Sequence, residues 1–118
     1  MRTIHVMVAN EPPLYREALA ATIRIVRPAL ETSLVEPQEL DEATVRHELQ
    51  LVVCSRLTDV VESQSLAWAL IYPEGTSWSE LSLAGERTRV SHLDLSHLLA
   101  FLDKTVDHAG RVSFDGAE

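Results

Sequence analysis

The sequence predicts an α/β fold: an open, mostly parallel sheet with helices on both faces. Two apolar runs, TIHVMVA (3–9) and LQLVVC (49–54), are rich in β-branched or aliphatic residues and need cover on both sides, as strands inside parallel sheets do. Stretches with helical period alternate with such runs along the chain. The 118 residues, 46% of them hydrophobic, suffice for one domain with its own core and leave no length for a second.

Residues 3–9 form the first predicted strand, ended by Asn10, Glu11 and two prolines. Pro12 and Pro13 suit a helix start and Pro28 a stop. On a helical wheel Leu14, Ala18, Ala21, Ile25 and Val26 share one broad apolar side, with Leu19 and Ile23 at its margin. The narrow polar side carries Arg16, Arg24 and Arg27. ETSLVE (31–36) is a weak strand, and the acidic turn after Pro37 favours a helix N-terminus. Residues 49–54 make the next strand, a short helix over 58–62 returns the chain, and LAWALIY (66–72) is the fourth strand. SELSLAGERTRVS (79–91) alternates apolar and polar on both sides of Ala84-Gly85, a β-hairpin pattern. The last helix starts near Asp94 with a core stripe of Leu95, Leu98, Leu99, Leu102 and Val106, from which Phe101 falls away. The domain is expected to span 1–107, followed by a polar tail over 108–118.

Charge narrows the function classes. Ten Lys and Arg against 18 Asp and Glu give a net charge of -8, which opposes binding to phosphate backbones and to anionic membrane surfaces. The longest stretch free of Asp, Glu, Lys and Arg, residues 63–73, is shorter than the ~18 apolar residues of a membrane span. The opening residues, MRTIHVMVANEPP, follow no signal-peptide pattern. A single Cys cannot form an internal disulfide, so a cytoplasmic location is expected.

In open α/β sheets, chemistry gathers at the carboxyl ends of the strands, here after Ala9, Cys54, Tyr72 and Ser91. VMVANEPPLYREAL (6–19), the LQLVVC strand and the terminal SHLLAFLDK helix resemble the receiver domain of two-component response regulators over roughly residues 3–107. In an active receiver, paired acids after the first strand hold Mg²⁺, and an Asp after the third accepts a phosphoryl group. A hydroxyl after the fourth and a Lys after the fifth read the phosphate, charge neutralisation that phosphoryl transfer requires. Onto these positions fall Asn10 and Glu11, then Ser55 or Cys54, then Tyr72 and Ser91. One carboxylate of the pair is an amide, the acceptor is not a carboxylate and the cation is lost. The resemblance therefore implies the fold and the strand order 2-1-3-4 with the hairpin at the far edge. It also implies a non-phosphorylatable signalling or regulatory domain that binds protein. The hairpin stands where a receiver has its fourth helix.

That reading expects no catalysis, no cofactor and no metal. No Gly-rich phosphate loop is available among Gly75, Gly85, Gly110 and Gly116. The five histidines, His5, His47, His92, His97 and His108, include no i, i+4 pair for zinc. Cys54 reads as a small buried hydrophobe, because Val60 stands where a phosphatase-type loop would require Arg. Arg16, Arg24 and Arg27 form either a solvated helix face or a docking surface for a protein partner. Trp78 and Phe101, both off the main core, form an apolar patch for a homodimer or partner interface, or else Trp78 covers the hairpin. The alternative class is a small-molecule-binding or hydrolytic domain using a strand-end pocket around Glu11, Cys54, Ser55 and Tyr72.

Overall fold

The computed structural model describes residues 4–46 and 49–116. Its strands are β1 (His5–Ala9), β2 (Glu31–Leu34), β3 (Gln50–Cys54), β4 (Ala67–Leu70), β5 (Trp78–Leu83) and β6 (Glu86–Ser91). Its helices are α1 (Pro13–Val26), α2 (Leu40–Val45), α3 (Asp59–Gln64) and α4 (Leu95–Gly116). All six strands join one sheet in the order β2-β1-β3-β4-β5-β6.

The sheet is mixed, where the sequence reading expected a mostly parallel one. β2, β1, β3 and β4 run parallel, whereas β5 pairs antiparallel with β4 and β6 antiparallel with β5. Chain length explains the change of sense. Only residues 71–77 join β4 to β5, and a parallel connection needs a dozen or more residues. The hairpin turn falls on Ala84 and Gly85, both at positive φ (51° and 88°), the backbone that a two-residue turn with the native strand twist requires.

Side-chain alternation along the strands sends two cores to opposite faces. Val6, Val8, Leu51, Val53, Ala67 and Ala69 pack with Leu19, Ala20 and Ile23 of α1 and Leu98, Phe101 and Leu102 of α4. Met7, Ala9, Val52, Cys54, Trp68 and Leu70 pack with Leu40 and Ala43 of α2 and Val61 of α3. Helices therefore cover both faces. Thr58 caps α3, its hydroxyl accepting from the Val61 amide at 3.3 Å, and Asp94 accepts from the His97 amide at 2.8 Å where α4 begins.

Two helices are rotated relative to their wheel reading. In α1 the buried residues are Arg16, Leu19, Ala20 and Ile23, while Leu14 and Ile25 are 78% and 79% exposed. Arg16 sets this rotation, because its guanidinium is drawn inward to the Asn10 carbonyl and the Glu36 carboxylate. In α4 the buried line is Leu98, Phe101, Leu102, Thr105 and Ala109. Thr105 is admitted because its hydroxyl donates to the Phe101 carbonyl at 2.9 Å and so loses no hydrogen bond in the core. Phe101, expected off the stripe, is thus a core residue at 7% exposure, and Val106 is 38% exposed. The helix also continues to Gly116 through residues read as a polar tail, with Ala109 in the core. Arg27, at the end of α1, forks onto Asp103 of α4 with bonds of 2.8 and 2.9 Å, tying the two helices on this face together.

Phe101→Ala is expected to lower unfolding free energy by ~3–5 kcal/mol, the cost of emptying an aromatic core site. Val106→Ala should cost less than ~1 kcal/mol, as at other exposed positions. Urea denaturation of the two variants measures both; equal losses would contradict this placement of α4.

Candidate functional site

β1 and β3 are neighbours, and their register sets Ala9 beside Cys54. Asn10-Glu11 and Ser55-Arg56 therefore leave the sheet side by side. The Glu11 amide donates to Ser55 Oγ at 2.7 Å, joining the two strand ends. Around this link lies a depression of about 180 Å³ lined by Ala9, Glu11, Leu40, Ser55, Arg56 and Thr58. The Thr58 hydroxyl donates to the Asp41 carboxylate of α2. The Glu11–Pro12 peptide is cis.

Electrostatically this end is already neutralised from within. Arg16, 5% exposed, donates from Nη1 to the Asn10 carbonyl at 3.3 Å and from Nη2 to Glu36 Oε1 at 3.2 Å. Its Nη1 also stands 3.6 Å from Glu11 Oε2. The Glu11 carboxylate thus faces a fixed cation before any metal arrives. Asn10 is fully buried, and both atoms of its side-chain amide lack a hydrogen-bond partner. Among the described residues no group of three or more His, Cys, Asp or Glu is placed to hold a metal ion.

Of the residues singled out in the sequence, Glu11 and Ser55 meet, with Asn10 and Cys54 immediately behind them. Cys54 points into the α2–α3 core, where burial pushes its thiol up from 9.0 to about 12. A thiol held protonated in this way is no nucleophile at neutral pH. Tyr72 turns away from the depression. It adopts φ 43°, its amide donates to Ser79 Oγ at 3.1 Å, and its hydroxyl donates to the Leu93 carbonyl. Burial, and secondly the Tyr72 phenol, raise the Tyr15 phenol above the ordinary tyrosine value.

Ser91 does not join the site either. It pairs with Trp78 at the end of β6, three strands from β3, a separation of roughly 14 Å at the usual strand spacing. The physical reason is the hairpin, which inserts antiparallel β5 between β4 and the strand that ends in Ser91.

The surface readings change as well. Arg16 is buried and cannot belong to a docking stripe. Arg27 holds Asp103 and braces α1 against α4, whereas Arg24, which donates to the Thr32 carbonyl at 3.0 Å, stays exposed. Trp78 packs against the α2–α3 core beneath the Arg89 guanidinium, 4.0 Å from its ring, while Phe101 lies in the core of the other sheet face. The two aromatics cannot form one patch. What the wheel reading missed is the outer face of α1, where Leu14, Ala18, Ala21 and Ile25 are exposed. The signal was an apolar arc too broad for a single contact with the sheet. Arg56 and Thr58, on the depression, lay one and three residues past Ser55 in the same strand-end loop.

Cys54 yields a pH dependence of defined sign. Folded, its thiol titrates near 12, whereas in the unfolded chain it titrates near its ordinary value, so between these the folded state holds the extra proton. Its contribution to stability is complete below about pH 9.0 and is lost as pH rises toward 12. Urea denaturation across that range should show a declining branch that Cys54→Ala makes shallower; identical slopes would refute the assignment.

Comparison of the chain with protein-family models, curated proteins and solved structures found no match.

Proposed function

We propose that the chain is a receiver-like module that works by binding protein, without phosphoryl transfer or catalysis. The observation that carries this reading is the outer face of α1, where large apolar side chains remain in water on a helix whose inner face already fills the core. An uncovered apolar stripe of this kind marks an interaction surface. The strand-end geometry is in keeping with it. Ser55, at the position of a phosphoacceptor, has a hydroxyl engaged by the Glu11 amide, and Glu11 is the single carboxylate lining the depression. An acyl phosphate requires a carboxylate acceptor, and divalent cations at such sites are held by carboxylates together with phosphate oxygens.

A hydrolytic reading would need an activated nucleophile at the same place. Cys54, its sole thiol, is 1% exposed with its titration pushed up to about 12, no histidine lines the depression, and its one carboxylate, Glu11, faces the Arg16 guanidinium. The net charge of -8 argues against direct nucleic-acid binding, and among the described residues no helix is long and apolar enough to cross a membrane.

The test is an amide NMR titration of the labelled protein with Mg²⁺ and then beryllofluoride, a phosphoryl mimic. The expected result is the absence of focused shifts at Asn10, Glu11, Ser55 and Ser91. Saturable shifts confined to those residues would overturn the proposal, since the pocket would then bind a metal or a phosphoryl-like anion.

A further inference from the structure

α1 is apolar on two opposite sides, and its own domain uses one of them. Leu19, Ala20 and Ile23 are buried against the sheet, while Leu14, Ala18, Ala21 and Ile25 form the outer line. Their spacing of four, three and four residues is that of the seam between two packed helices. The line is also symmetric about its middle. Leu14 and Ile25 lie equally far from the point between Leu19 and Ala20, and so do Ala18 and Ala21.

A palindromic seam is self-complementary when the second helix runs antiparallel across a two-fold axis. Leu14 then faces Ile25 of the second copy, and the paired alanines let the helix axes approach closely at the centre. The flanks decide between this and other arrangements. Glu17 and Arg24 are both exposed and seven residues apart, so they share one flank of the seam. Antiparallel pairing sets that flank against itself and brings Glu17 beside Arg24 of the second copy, twice per dimer. Parallel pairing would set Glu17 against the uncharged flank of Tyr15 and Thr22 instead. The Arg24 bond to the Thr32 carbonyl restrains the guanidinium before association.

The apolar surface does not stop where the helix does. A groove of about 360 Å³ lies beyond the helix end, where Val26, Pro28, Leu30 and Val106 alternate with Arg27, Asp103 and Asp107, and Val26 and Val106 are each 38% exposed.

From these features we infer that α1 is the two-fold, antiparallel interface of a homodimer, with the second copy as occupant of the exposed stripe. The inference rests on the protein-binding reading above and names its partner. Sedimentation equilibrium of the full chain, up to ~1 mM, tests it. Wild type should dimerise. Ile25→Asp, at a site too exposed to disturb folding, should weaken association at least ~30-fold with an unchanged circular dichroism spectrum. Glu17→Arg should weaken it about tenfold, and the double reversal Glu17→Arg with Arg24→Glu should restore it to within about threefold of wild type. A wild-type monomer at ~1 mM, a dimer indifferent to Ile25→Asp, or a double reversal no better than the single one would each overturn the inference. The phosphoryl-mimic titration does not depend on self-association, so failure here is distinguishable from failure of the wider reading.

Discussion

Arg16 lies inside the protein among the carbonyl of Asn10 and the carboxylates of Glu11 and Glu36, and much else follows from that placement. A guanidinium taken out of water needs partners at hand, and here a backbone carbonyl and two carboxylates at the protein surface reach it. The arrangement holds three segments at once: the end of β1, the first turns of α1 and the residues after β2. By fixing the rotation of α1 it decides which apolar residues enter the core and which stay in water. It also supplies a resident cation at the one place where an acidic strand end would otherwise attract a metal.

β1, β3 and β4 were legible because buried parallel strands demand short continuous apolar stretches, here closed by polar or turn residues. The hairpin was legible too, since Ala84-Gly85 separates two alternating runs at the two-residue spacing that such turns need. Helix faces were harder to read. A wheel weighted by Leu, Ile and Val passes over Ala20, Thr105 and Ala109, yet small residues are what let a helix lie close on a sheet. An arginine in the core runs against every composition rule, so Arg16 pointed the wheel the wrong way.

Much the same division applies at the strand ends. Glu11 and Ser55 come together because adjacent parallel strands end at the same level, which strand order alone implies. Tyr72 and Ser91 stand elsewhere because their positions depend on how a seven-residue link resolves, and that is decided by packing of the hairpin. Arg87 over Trp68 and Arg89 over Trp78 show the outcome: basic side chains of the outermost strand lie back across aromatic rings. Charges along a terminal strand also discourage further strands from adding there.

The mixed sense of the sheet carries a consequence for how the chain assembles. β5 and β6 meet across two residues, a closure that costs little entropy and takes place in microseconds. β1 must instead find β3 across the forty residues that carry α1, β2 and α2, with His5 set opposite Gln50. Non-local pairing of this kind is the slow part of folding an α/β domain. The outer hairpin is therefore ready long before the central strand, and β3 waits with one edge open until β1 arrives. Association of two chains during that interval, strand to strand, competes with the helical contact that the finished domain offers.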